Sequence, residues 1–247
     1  MNKLIEKKIA STSMIGKNSN DTIRQITRMM DLVYGSKTFS NIDLSFFDIN
    51  GSVLLYGIPG VGKTTIVMNC INYALDKYGI EAYTIDTPEV IVSNLGESTQ
   101  NIYKELDEFA SLNEGILFID EIDRLCVNRN NKDEVSELKR VLIEIMKFMD
   151  ENTLSSKKMI IACTNVIEQI DTALIRRFSI KKEITNPSSE EKEQFILLCI
   201  KKCGLEKKQI KKELLEKYIT MDDIKNDFRD AILDRKLEKY IKSIVEG

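Results

Sequence analysis

Apolar and polar positions change period along this chain, and the changes predict its elements. From Asp21, the residues Ile23, Ile26, Met30 and Val33 recur at three- and four-residue spacing, which predicts a helix stopping at Gly35. Residues 1–20 are polar and rich in Ser and Asn, and read as a flexible lead-in; residues 36–52 read as a connection anchored by Phe39, Phe46 and Phe47. Val53-Leu54-Leu55-Tyr56 is a short β-prone run. Behind it, Ile66, Val67, Cys70, Ile71, Ala74, Leu75 and Tyr78 return to helical spacing, with Gly79 as a natural stop. Glu81 to Asp86 reads as a second strand, and Ser98 as the N-cap of a helix carrying Ile102, Leu106, Phe109 and Ala110. Gly115 to Ile119 is uniformly apolar and then delivers Asp120 and Glu121, the pattern of a central parallel strand buried on both faces. Val135, Leu138, Leu142, Ile145 and Met149 predict a helix, Met159 to Asn165 a fourth strand, and Phe178 to Thr185 a fifth.

Beyond Pro187 the strand signals cease. Ser188 with Glu191 forms a capping box, the helix behind it runs to Gly204, and two further helical patterns follow, one with Ile210, Leu214 and Leu215, the other with Ile224, Phe228, Ile232 and Ile241. Strands alternating with helices and then helices alone predict an α/β fold: an open parallel five-stranded sheet with helices on both faces, plus a small C-terminal α-helical lid. The expected divisions are a short extension over residues 1–14, the α/β domain over 15–187 and the helical lid subdomain over 188–247.

Composition narrows this picture modestly. The 247 residues carry 30% charged and 43% hydrophobic side chains, the profile of a folded globular chain. A net charge of −3 counts against a nucleic-acid partner. Lysines at 201, 202, 207, 208, 211 and 212 alternate with glutamates and read as a solvated face. No apolar run approaches a membrane span, and Lys3, Glu6, Lys7 and Lys8 interrupt any signal-peptide core, so a cytoplasmic location is expected. The five cysteines read as reduced core residues. With no histidine, imidazole acid–base chemistry is excluded.

The chemistry concentrates in Gly57-Ile58-Pro59-Gly60-Val61-Gly62-Lys63-Thr64, which reads G-x-x-x-x-G-K-T between a strand and a helix. Glycines there let the backbone approach phosphates closely, at the positive end of the following helix. Lys63 is expected to reach the β- and γ-phosphates of ATP and Thr64 to offer its hydroxyl to Mg²⁺. Asp120 is expected to help hold the metal and Glu121 to polarise the attacking water, since neighbouring C-terminal strand ends face one crevice. Asp123 fits the acidic start of a helix.

In this order the motifs resemble those of the AAA+ ATPases, and within them the clade of katanin and spastin. Gly57 to Thr64 is similar to the Walker A loop of the P-loop NTPases, and Ile116 to Asp123 to Walker B. Ala162-Cys163-Thr164-Asn165 resembles the sensor-1 strand end, and Ile170 to Phe178 the arginine-finger segment. The resemblance implies ATP contacts from Ile15, Gly16, Gly57, Pro59, Gly60, Val61, Gly62, Lys63, Thr64 and Thr65, Mg²⁺ contacts from Thr64 and Asp120, and catalytic roles for Lys63, Glu121, Asn165, Arg176 and Arg177. It also implies a homo-oligomeric ring, commonly a hexamer, in which Arg176 and Arg177 reach the neighbour's nucleotide. Two departures stand out. Thr220 to Ile224 offers no sensor-2 arginine, and Ser93 to Ser98 resembles the pore loop but places Asn94, followed by Leu95, where threading relatives carry an aromatic residue.

The expected function is Mg²⁺-dependent ATP hydrolysis coupled to remodelling of a protein partner whose identity the sequence does not carry. Alternatives are a nucleotide-controlled assembly switch and a DNA-handling loader, the latter disfavoured by the acidic composition. A GTPase is disfavoured because the stretch after Asn165 lacks the base-reading lysine. Few residues flank the motifs, so target recognition is expected from loops, the short N-terminus or a separate protein.

Overall fold

The structure, a computed structural model, describes residues 2–3, 16–35, 44–85, 97–125, 132–151, 157–205 and 210–245. They form β1 (Asn2–Lys3), α1 (Lys17–Tyr34), β2 (Ser52–Tyr56), α2 (Lys63–Tyr78), β3 (Ala82–Thr84), α3 (Glu97–Ala110), β4 (Gly115–Ile119), α4 (Lys132–Glu151), β5 (Lys158–Thr164), α5 (Thr172–Arg177), β6 (Ile180–Glu183), α6 (Ser189–Lys202), α7 (Glu213–Lys217), α8 (Met221–Leu233) and α9 (Leu237–Ile244).

By contact, the chain falls into two compact units. The first comprises Met1–Thr12, Asp21–Gly57 and Lys63–Glu183, the second Ser13–Asn20, Ile58–Gly62 and Ile184–Gly247. In the first unit the strand order is β1-β3-β4-β5-β2-β6, with β3, β4, β5, β2 and β6 mutually parallel. The five parallel strands and surrounding helices are those the periodicity predicts. The sixth strand is not: Asn2 and Lys3 pair antiparallel with Thr84 and Tyr83, so part of the expected flexible lead-in lies on the sheet edge.

Every residue of β4 and β5 is buried, and β2 is buried through Leu55. Leu54, Leu117, Ile119, Ile160 and Ala162 join one core with Ile102 and Phe109 of α3, Ile145 and Met149 of α4 and Leu174 of α5. The alternate positions Val53, Leu55, Ile116, Phe118, Met159, Ile161 and Cys163 are equally buried, which fixes the sheet as an inner layer covered on both faces. On the remaining helices, Ile26 and Met30 of α1 and Ile66, Val67 and Cys70 of α2 are buried. The carboxylate of Asp31 links α1 to α2 by accepting from Tyr73 (2.7 Å), Tyr78 (2.7 Å) and Lys77 (2.9 Å). Burial pushes Asp31 up, but these three donors outweigh it and hold the carboxyl below its ordinary value.

The connection before β2 departs from expectation. Phe39 lies outside the described residues, but Phe46 is 78% and Phe47 61% exposed, so neither anchors a core. A 3-10 turn over Ser45–Phe47 directs both rings outward, against each other. The other departures are smaller. Helix α1 begins before Asp21, and α3 begins at Glu97, placing Ser98 in its first turn rather than at the cap.

The second unit has its own core, formed by Phe195, Ile196 and Ile200 of α6 with Leu215, Tyr218, Ile224, Phe228, Ile241 and Ile244. The capping box predicted at Ser188 and Glu191 is present, and Thr220 with Asp223 makes a second one at α8. The last helical pattern divides at Asp234–Lys236 into α8 and α9, which leaves Ile232 half exposed rather than in the core.

Candidate functional site

Strands β4, β5 and β2 lie side by side and parallel, so their C-terminal ends deliver three loops to one edge of the sheet. From β2 the chain turns through Gly57, Gly60 and Gly62, all at positive φ, into α2 at Lys63. Two of these glycines answer different needs. A Cβ on Gly62 would meet nothing within 4 Å, so only its left-handed backbone (φ 95°) calls for glycine; a Cβ on Gly60 (φ 81°) would lie 2.9 Å from Thr220 Oγ1 and 3.2 Å from Asp222 Cβ.

Lys63 is 7% exposed, and its Nζ donates to Gly57 O and to Asn165 Oδ1, both at 2.7 Å. Burial lowers its pKa, opposed by Cys163, Asp120, Asp123 and Glu121 nearby. The ammonium therefore spans the ends of β2 and β5. Thr64 Oγ1 donates to Asp120 Oδ2 (3.1 Å), joining the first turn of α2 to the end of β4. The other oxygen of Asp120 accepts the Glu121 N–H at 3.0 Å. Glu121 holds φ at 50°, a left-handed conformation that costs a non-glycine residue about 1–2 kcal/mol. Such strain gathers at functional turns. Its carboxylate pairs with Arg124 Nε at 2.6 Å.

Asp123, read from sequence only as a helix-start acid, has a more specific place. Its Oδ1 accepts from Thr164 Oγ1 (2.7 Å) and from the Asn165 N–H (3.4 Å), and so fixes the end of β5 that carries Asn165. The D-E-x-D run contains it, but its partners are 41 and 42 residues away and only the strand pairing reveals the contact.

The adjacent arginines are separated by environment. Arg177 grips Asp150 with Nε (2.8 Å) and Nη2 (2.9 Å) and donates from Nη1 to Ala173 O (3.0 Å). Its own carbonyl accepts from Asn50 Nδ2 and Ser52 Oγ. The Asp150 carboxylate raises the Arg177 pKa further. Arg176 is exposed, has no ion pair among the described residues, and lines an open cavity of about 470 Å³ with Arg28, Phe47, Asp48 and Lys181. No spacing rule points to Asp150, twenty-seven residues upstream of its partner.

Within the second unit, Gly16 (φ 123°) precedes Lys17, whose N–H donates to Glu191 Oε1 at 2.9 Å; Glu191 Oε2 meanwhile accepts the Ser188 N–H. Asn18 Nδ2 reaches Thr185 Oγ1 at 2.8 Å. One glutamate thus caps two helices. Pro59 is exposed, Val61 is buried, and Thr65 follows Thr64 in the first turn of α2. Ile15, Asn94, Leu95 and Cys126 lie outside the described residues. Among the described residues, no three His, Cys, Asp or Glu side chains are grouped to hold a metal ion, and no helix is long and apolar enough to cross a membrane.

Comparison with known proteins places this geometry. Residues 53–186 match the family described as ATPase family associated with various cellular activities (AAA). The chain is 35% identical over 164 residues to ATPase family gene 2 protein of Schizosaccharomyces pombe, covering 65% of this chain and 19% of that protein. It is 33% identical over 166 residues to a cell division cycle protein 48 homolog of Archaeoglobus fulgidus, covering 66% of this chain and 22% of that protein. It therefore spans about a fifth of the length of these relatives. Among solved structures, a chain of the HORMA:CdnC:Trip13 complex from E. coli MS115-1 shares the fold, with a TM-score of 0.63 at 17% identity, over 78% of this chain and 70% of that one.

Proposed function

Because the chain belongs to the AAA family of ATPases, we propose that it hydrolyses ATP with Mg²⁺, assembles as a homo-oligomeric ring and couples turnover to remodelling a protein partner. The observation that carries the site reading is the direct bonding of Lys63 to Asn165 and of Thr64 to Asp120, which ties three neighbouring strand ends into one polar constellation. The residues fit Mg²⁺-ATP. A Cβ on Gly62 would meet nothing within 4 Å, and the Thr64 hydroxyl and Asp120 carboxylate, 3.1 Å apart, are the hard oxygen donors Mg²⁺ takes, with phosphate and water oxygens for the rest. Gly57 to Thr65 would hold the phosphates, with Lys63 spanning them. Asn165, held through Asp123, would orient water and the terminal phosphate, and Glu121 would polarise that water once clear of Arg124. Ile15 and Gly16 would hold the base. Residues 15–187 and 188–247 would serve as nucleotide-binding domain and lid.

Of the two arginines, Arg176 has the surroundings expected of a group offered to a neighbouring subunit, and Arg177 those of a brace. The four described cysteines are thiols, in keeping with a cytoplasmic location. A nucleotide-controlled assembly switch is the second reading, and one observation favours it: Glu121, to which we assign water activation, is paired with Arg124 at 2.6 Å.

The test separates binding from chemistry. Lys63→Ala should abolish nucleotide binding in a fluorescent-ATP titration, while Glu121→Gln should bind ATP normally and lose hydrolysis by at least about 10²-fold. Normal turnover by purified Glu121→Gln would sink the assignment. Sequencing the proteins retained by ATP-loaded Glu121→Gln would then identify the partner.

A further inference from the structure

Helix α5 ends at Arg177, and the last carbonyls of a helix have no partner within it. The partner of this one lies 127 residues away in sequence: Asn50 Nδ2, in the turn before β2, donates to Arg177 O at 2.7 Å. Two serines complete the network. Ser52 Oγ, 3.0 Å from the same carbonyl, also faces Asn50 Oδ1, and Ser179 Oγ faces both Asn50 Oδ1 and Asp48 O. A hydroxyl carries one proton, so each serine serves one acceptor at a time, and the Asn50 amide is the constant donor to Arg177 O. The Asn50 N–H adds a bond to Ser179 Oγ at 2.8 Å. Asp48 and Gly51 turn the backbone through left-handed conformations (φ 53° and 70°), and Gly51 O accepts the Ile160 N–H of β5, which seats Asn50 on the sheet.

We propose that Asn50 is a positioning residue for Arg176: its amide sets the main-chain exit of α5, and so the direction from which Arg176 is offered to a neighbouring subunit's nucleotide. This rests on the ring reading above. Strand pairing does not require the amide, because β2 and β6 are joined by their own ladder from Val53 and Ile180 onward. What Asn50 adds is a hold on the residue next to Arg176, before that ladder begins. The hold is independent of the Arg177 side chain, whose guanidinium is engaged with Asp150 on α4. Main chain and side chain of Arg177 are thus both fixed, while Arg176, one residue earlier, stands exposed at an open cavity. A displacement of about 1 Å at a group that meets reacting phosphate costs on the order of 10²-fold in rate, so this anchoring bears on turnover. Asn50 precedes β2 and the phosphate loop follows it, so Asn50 acts through the arginine and not on its own subunit's nucleotide.

Subunit mixing tests this role with a readout that lost stability alone would not give. Arg176→Ala subunits keep a phosphate site and Lys63→Ala subunits keep an arginine, so the hydrolysis restored in their mixture measures one acting on the other. Placing Asn50→Ala in the Lys63→Ala subunits should lower the restored rate at least about tenfold, whereas the same change in the Arg176→Ala subunits should leave it unchanged. Asn50→Asp keeps an acceptor for both serines but has no amide proton for Arg177 O, and it should show the same asymmetry even where the alanine variant folds poorly. Affinity for a slowly hydrolysed ATP analogue should be unaltered by either substitution. Equal loss from both placements, or loss from neither, overturns the positioning role while leaving the reading of Arg176 intact. A mixture without any Asn50 substitution that restores no hydrolysis overturns that reading, and the role of Asn50 with it.

Discussion

Arg176 and Arg177 are chemically identical neighbours, and the fold gives them different surroundings. The guanidinium of Arg177 is spent on Asp150 and on the carbonyl of Ala173, while Arg176 stands in an open cavity. Asp150 is 54% exposed, so screening limits the pair to about 0.2–1 kcal/mol of stability. The pair joins the last turn of the short helix that carries Arg176 to Asp150 of α4. Arg176→Ala should therefore lower turnover about 10³-fold in the assembled protein, whereas Arg177→Ala and Asp150→Ala should resemble each other and lower it far less. Steady-state rates at saturating ATP and protein decide the matter. An Arg177→Ala variant as impaired as Arg176→Ala, beside a silent Asp150→Ala, would mean that Arg177 leaves its carboxylate to act in the reaction.

At the scale of elements, the phosphate loop and the α8 cap share one tight contact. Gly60 has no room for a Cβ because Thr220, the N-cap of α8, and Asp222 occupy that space. Thr220 already accepts the Asp223 N–H, so moving it would disturb the capping box at that helix end. Gly60→Ala adds left-handed strain of about 1–2 kcal/mol to this overlap. We expect its unfolding midpoint to fall by about 2–4 °C for each kcal/mol, with faster amide exchange at the start of α8. An unchanged midpoint together with unchanged exchange over Met221–Ile224 would show that the cap yields without cost.

At the scale of the whole molecule, the proposed ring would make activity depend on assembly, because a neighbour would complete the site. Specific activity should rise with protein concentration. Mixing Arg176→Ala subunits with Lys63→Ala subunits should raise hydrolysis above that of either alone, because an intact phosphate site can then meet an intact arginine. Constant activity per subunit down to clearly monomeric protein would exclude the arrangement.

Sequence alone determined the succession of strands and helices and the local turns and caps, because these are written at short range. The period of apolar positions separates strand from helix, and the spacing from Gly57 to Thr64 marks a glycine turn between strand and helix within eight residues. Ser188 and Glu191 likewise announced their capping box, since a cap joins residues three apart. Tertiary structure decided what depends on distant partners. The pairing of β4 with β5 turned Asp123 from a helix-start acid into the support of Asn165, and the approach of α5 to Asp150 distinguished two adjacent arginines. It also reversed the reading of Phe46 and Phe47. Hydrophobicity records that a side chain gains by leaving water, but in a connection with no periodicity it does not say whether the chain's own core or another surface will cover it.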